Sequence, residues 1–285
     1  MTATAAEPRM RRRSIDFSKP LIYLIALVCV GITVVPVLYV VIKGFGTTAD
    51  LNRNPSGWPD PFTVDNYLRV LTGETFWLQV LNSTIAALGT TVGVVILGVM
   101  AAFVIARYEF RGRDGLYALF TAGLLFPLTV AVLPLYLLLR SIGLLGSIAG
   151  IIIPQIAFQL PVTIIILVPF LRAIPAELED AAVIDGTGRL GFFWRILLPL
   201  SGPGLVTVGV LAFVASWNAY LLPLLTLGRP EAYTLPLGVQ YFSTAYSQDT
   251  AAVLAFTSLA MLPAILFFTL AERRIVGGLT GAVKG

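Results

Sequence analysis

NSTIAALGTTVGVVILGVMAAFVIA, residues 82–106, runs for twenty-five residues without an ionisable side chain. At ~1.5 Å rise per residue a helix of that length measures about 37 Å, enough to cross a hydrocarbon core ~30 Å thick. Moving outward, five more uncharged apolar stretches of comparable length occur at residues 21–42, 116–139, 147–171, 200–227 and 251–271. Backbone groups in lipid must be satisfied within the segment or in a closed barrel, and the alternating pattern of barrel strands is absent, so all six are expected to be helices. The whole chain of 285 residues agrees: 57% is hydrophobic, 12% is charged and the mean hydropathy is +0.89. The predicted class is all-α, a polytopic membrane protein of six transmembrane helices.

Lysine and arginine set the direction of the spans, because basic loops are retained on the cytoplasmic side. With the N-terminus inside, Arg9, Arg11, Arg12, Arg13, Lys19, Arg107, Arg111, Arg113, Arg172, Arg189, Arg195, Arg273, Arg274 and Lys284 are inside. Only Lys43, Arg53, Arg69, Arg140 and Arg229 are then outside, which places both termini in the cytoplasm. The organisation expected is a disordered basic N-terminus (1–20), a first span (21–43) retained rather than cleaved as a signal peptide, and an extracytoplasmic loop (44–81). A transmembrane core (82–271) containing a cytoplasmic loop at 172–199 follows, then a cytoplasmic tail (272–285). The 44–81 loop combines the turn-rich NRNPSGWPDP with a short interfacial helix at TVDNYLRVL, and Trp58 and Trp77 read as interface anchors.

The residue inventory excludes several classes. The sequence has no histidine and a single cysteine, Cys29, inside an apolar run, so neither a disulfide nor a metal site is expected. The six cores lack the ionisable groups that proton- or sodium-coupled carriers place at membrane depth, and no constellation of nucleophile and base can be assembled. A G-x-x-x-x-G-K-[ST] phosphate loop is absent, which assigns any nucleotide chemistry to a partner. The pI near 9.3 comes from basic residues between apolar runs, a distribution suited to lipid headgroups and topology rather than to nucleic acid.

RAIPAELEDAAVIDGTGRLGFFWRILLPL, residues 172–200, is the segment where a partner would act. Pro175 suits a first helical turn, while Glu177, Glu179 and Asp180 place negative charge at the positive end of the helix dipole. Leu178, Ala181, Ala182 and Ile184 offer small and apolar surface, and Gly186 can take the left-handed conformation that ends a helix. A second short helix is expected from Arg189 into Pro199. The segment resembles the EAA loop of binding-protein-dependent ABC importer permeases, whose pattern is E-A-A, two residues, D-G, nine residues, I-x-L-P. Asp180, Ala181, Ala182, Asp185, Gly186, Ile196, Leu198 and Pro199 match at the right offsets, with aspartate at 180 where the motif usually has glutamate. The resemblance implies the MetI-like permease fold and an ATPase-coupling role for these residues and Glu179. It further implies two ATPase subunits that use ATP and Mg, a second homologous permease subunit and an extracytoplasmic solute-binding protein.

FPLTVAVLPLYLLLRSIGLLGS at 126–147, SWNAYLLPL at 216–224, YTLPLGVQYF at 233–242 and the tail RRIVGGLTGAVKG at 273–285 are similar to the maltose-permease-like branch of carbohydrate importers. That resemblance implies a non-enzymatic, multi-pass subunit of a bacterial inner membrane carrying a disaccharide or oligosaccharide, with the first span peripheral to the transport core. The alternatives are a permease of the same superfamily for another solute, such as glycerol phosphate, amino acids or peptides, and a non-transport membrane scaffold. A hydroxyl-rich cargo needs amides and aromatic faces, which makes Gln155, Gln159, Trp217, Asn218 and Tyr220 pathway candidates. Hydrogen bonding between helices explains such residues equally well, and Gly89 with Gly93 reads as a packing face.

Overall fold

A computed structural model of the chain describes residues 18–245 and 249–283. The expectation of a disordered N-terminus falls mostly outside the described residues, as does Lys284. The elements are helices: α1 (Ser18–Lys43), α2 (Thr48–Arg53), α3 (Asp65–Thr72), α4 (Glu74–Arg107), α5 (Arg113–Gly123), α6 (Leu128–Ser141) and α7 (Ala149–Arg172). Then follow α8 (Glu177–Ile184), α9 (Arg189–Leu200), α10 (Gly202–Trp217), α11 (Leu221–Thr226), α12 (Leu235–Ala245) and α13 (Thr250–Val283).

Among the described residues, only α1, α4, α7 and α13 are continuous helices long and apolar enough to span a bilayer. The third apolar stretch is instead two helices, α5 and α6, bent by 99°. Pro127 explains the break: it has no N–H to donate and it biases Phe126 away from helical geometry, so Leu124, Leu125 and Phe126 close tight turns on Thr121, Ala122 and Gly123. The fifth stretch also differs from a single helix over 200–227. It begins with a 75° bend between α9 and α10, where the Ser201 hydroxyl donates back to the Leu197 carbonyl at 2.6 Å and Pro203 occupies the first turn of α10. It ends early, at Trp217, because the Asn218 side-chain amide takes the Val214 carbonyl at 2.9 Å and closes the turn. The second span is longer than expected, starting at Glu74 rather than 82, directly after Gly73. The last helix runs on through Val283, so no break separates span from tail.

Helices α4 and α7 form the central pair. Close approach is possible because glycines face isoleucine and threonine: a Cβ at Gly89 would lie 2.7 Å from Ile152 Cδ1, and Gly93 and Gly98 abut Ile156 and Thr163 in the same way. At one end of the bundle Phe103, Ile164, Leu167, Leu171, Phe192 and Leu197 make a dense core that takes in α8 and α9. At the other end Phe76, Ala87, Phe213, Trp217, Leu235 and Phe256 join α4, α10, α12 and α13. Helix α1 packs along α13 and leaves its apolar length unburied within the chain.

The connection from α1 to α4 is an ordered cap on that second end. Asn66 donates to the carbonyls of Gly44 (3.0 Å) and Gly46 (2.8 Å), and buried Lys43 donates to the Asn54 carbonyl at 2.9 Å. Asp249 receives hydrogen bonds from Arg69 (2.7 Å) and Thr48 (3.0 Å) and caps α13 through the Ala252 N–H. Burial raises the Asp249 pKa, but these donors more than offset it and hold the carboxyl below the usual carboxylate range. Trp58 and Trp77 are both exposed, and the Trp77 indole donates to the Leu71 carbonyl.

Candidate functional site

The segment 172–200 projects from the bundle as a helix, a glycine turn and a second helix. Pro175 lies two residues before the first helical residue, outside the first turn, and Glu177, Glu179 and Asp180 occupy the start of α8. The helix stops in a Schellman arrangement. Gly186 has φ +75°, its N–H donates to the Val183 carbonyl at 3.0 Å, and the Thr187 N–H reaches the Ala182 carbonyl at 2.8 Å. Glycine takes this left-handed conformation without the steric cost that a Cβ brings.

The sequence-predicted coupling residues divide by direction. Ala182 is buried against Phe192 and Leu197, and Ile196 and Leu198 pack against the same core. Glu179 is half-buried, whereas Asp180, Ala181, Asp185, Gly186 and Pro199 are exposed. Beside them lies apolar surface that chain burial does not account for: Ile184 is 85% exposed, Leu190 75%, Val183 64% and Trp194 59%. Val183, Leu190 and Trp194 were not singled out from sequence. The signal available was their spacing around Ala182 and Phe192, whose burial turns the intervening positions outward. Within α9 the residues Phe193–Leu197 form a π-helical turn that sets Phe193 and Leu197 inward and Trp194 outward.

The five membrane-depth candidates do not gather into one site. Gln155 accepts from Thr90 (2.9 Å) and Ser216 (2.5 Å), joining α4, α7 and α10, and its amide nitrogen is buried without a partner. That is a bond between helices, one of the two readings open from sequence. Trp217 is buried and stacks on Phe213 with centroids 5.7 Å apart. Trp217 and Asn218 share a cavity of about 370 Å³ whose other walls, including Leu235, Val239 and Met261, are mostly apolar. Tyr220 donates to Gln240, and Gln159 and Tyr220 do not line that cavity. Other polar residues in the spans serve structure: Asn82 holds the carbonyls of Glu231 and Tyr233, and Ser83 accepts from the Leu235 N–H.

Comparison with known proteins identifies the family to which this helical chain belongs. Residues 94–278 match the family described as binding-protein-dependent transport system inner membrane component. The trehalose transport system permease protein SugB of Mycobacterium tuberculosis is 37% identical over 259 residues, covering 90% of this chain and 94% of that protein. The diacetylchitobiose uptake system permease protein NgcG of Streptomyces coelicolor is 33% identical over 251 residues, covering 87% and 83%. In fold, the chain resembles a subunit in the crystal structure of a bacterial ABC transporter involved in the import of the acidic polysaccharide alginate. That likeness has a TM-score of 0.74 at 23% identity and covers 90% of this chain and 98% of that one. The chain belongs to the family of inner-membrane components of binding-protein-dependent transport systems.

Proposed function

We propose that this protein is the membrane-spanning subunit of an ATP-driven importer for a disaccharide or oligosaccharide, and that α8 and α9 receive the movement of a separate ATPase. The observation that carries the reading is the projecting pair itself: a rigid Schellman stop at Gly186 flanked by exposed Val183, Ile184, Leu190 and Trp194. Apolar side chains displayed on a short helix outside the spans suit insertion into a cleft of another protein. Exposed Asp180, Ala181, Asp185 and Gly186 form the docking face, with Glu179 at its edge. Ala182, Ile196 and Leu198, with Pro199 at the end of α9, pass the movement to α7 and α10.

In this reading two ATPase subunits bind ATP and Mg, a second permease subunit completes the pathway, and a solute-binding protein delivers cargo from outside. The 172–200 segment and both termini face the cytoplasm, as the distribution of arginine and lysine suggests. ATP binding closes the ATPases, the helix pair moves with them, and the pathway opens outward; hydrolysis reverses the change. This chain catalyses no reaction. The carbohydrate class is supported by the trehalose and diacetylchitobiose systems of its relatives.

Reconstitution of the complex in proteoliposomes tests the proposal. Labelled disaccharide should accumulate only with ATP, the ATPases and a loaded binding protein present. Equal accumulation without ATP, or accumulation of glycerol phosphate in its place, would overturn it.

A further inference from the structure

Helix α8 buries a single side chain, Ala182, in the bundle, so something else must make the spans follow it. The last turn of α4 supplies three contacts. Arg107 donates from Nη2 to the Ile174 carbonyl at 2.8 Å, gripping the linker between α7 and α8. Tyr108, next in sequence, carries the Arg189 guanidinium over its ring at 4.9 Å from the centroid, gripping the start of α9. The same ring meets Phe103 edge-on at 5.3 Å, and Phe103 in turn contacts Phe193 at 5.0 Å.

We propose that Arg107, Tyr108 and Arg189 form a clasp that makes α4 turn with the α8–α9 pair, so that they are positioning residues for coupling. This inference rests on the proposed role of α8 and α9 in energy transfer. The chemistry of Tyr108 narrows its part. Its hydroxyl is buried without a hydrogen-bond partner, so the ring face, and not the phenol, carries the contact. Burial first, then the nearby Glu179 carboxylate, push the phenol pKa up against the opposing effect of Arg189 and Arg107, which keeps it neutral at physiological pH. Phenylalanine should therefore serve at 108, and lysine should serve at 189, because a cation over an aromatic face needs no hydroxyl and tolerates either cation. Arg189 is exposed, so replacing it leaves the core intact.

The test is the number of sugars imported per ATP hydrolysed by the reconstituted full transporter. Tyr108→Phe and Arg189→Lys should keep the wild-type ratio, while Tyr108→Leu and Arg189→Gln should lower it about fivefold with the ATPase still co-purifying. A second measurement does not depend on transport. Spin labels at Val104→Cys and Ile184→Cys, in a Cys29→Ser background, should give a narrow distance distribution that broadens in Tyr108→Leu and Arg189→Gln. An unchanged ratio together with an unchanged distribution overturns the clasp, as does equal loss in Tyr108→Phe and Arg189→Lys. A wild-type complex that fails to import sugar under ATP would instead refute the proposed function, and the label distances would still judge the clasp.

Discussion

Gly186 separates what this chain needs to fold from what it needs in order to work. Its φ of +75° lies where a Cβ costs an L-residue about 1–2 kcal/mol, yet a Cβ built there meets nothing within 4 Å. In the isolated chain Gly186→Ala and Gly186→Phe should thus lose the same amount, about 1 kcal/mol, since neither creates a clash. Gly186→Asn should lose less, because asparagine tolerates the left-handed region. In the assembled transporter the outcomes diverge. If the turn is pressed against an ATPase, phenylalanine occupies space the partner needs and ATP-driven uptake should fall at least about tenfold below that of Gly186→Ala, a further ~1.4 kcal/mol or more. Thermal unfolding of the purified chain reads the first effect, and uptake normalised to ATP hydrolysis in proteoliposomes reads the second. Equal uptake by the alanine and phenylalanine variants would refute the argument that this turn is a docking face. Much greater unfolding of the phenylalanine variant alone would refute the argument that its surroundings are open.

Other perturbations test neighbouring parts of the account. Ala182→Leu must push into a packed core and should cost about 1–3 kcal/mol, whereas Ala181→Leu, one residue earlier and exposed, should leave the unfolding midpoint of the chain nearly unchanged. Gln155→Leu removes the acceptor shared by Thr90 and Ser216 and should destabilise the bundle by about 1 kcal/mol, measured by unfolding in mixed micelles. Gly150→Ala places a Cβ against the Leu144 backbone carbonyl, which cannot swing aside, so it should cost more than Gly89→Ala, where the obstacle is the end of Ile152. Asp249 has a depressed folded-state pKa, so its contribution is present above the unfolded carboxylate range and lost as pH falls through the folded value. Protection of the α13 N-terminus in hydrogen exchange should weaken on acidification in the wild type, and Asp249→Asn should remove that dependence.

The sequence carried the helical class and the projecting turn because both rest on local rules. Uncharged runs of twenty or more residues admit one solution in lipid, and the glycine at 186 follows directly after the last turn that Ala182 anchors. Breaks were harder to read. Pro127 stands at a break, as the residue that caps the start of α6, while Pro134, Pro154, Pro161 and Pro263 lie inside continuous helices, so proline identity alone does not locate a bend. What distinguishes Pro127 is its surroundings: Leu125 and Phe126, in the turn between α5 and α6, are both exposed, whereas Pro154 and Pro161 are buried within α7. The early end of α10 at Trp217 depends on one side-chain amide folding back, a choice that Asn218 has equally in other contexts. Residues at membrane depth were least legible. Gln155 reads as a sugar ligand or a helix tie until Thr90, 65 positions earlier, is seen against it. Arg107 likewise reads only as a topology signal until its guanidinium is found on the Ile174 carbonyl, 67 positions later.

The proposed function requires the α8–α9 turn to lie in the cytoplasm against an ATPase. A single cysteine at Ile184, the most exposed large hydrophobic residue of α8, with Cys29→Ser as background, tests it directly. Protection from an impermeant maleimide added outside intact cells is expected, together with a crosslink to the ATPase subunit when a thiol-to-amine reagent enters from the inside. Labelling from outside, with no crosslink to any ATPase, would contradict it.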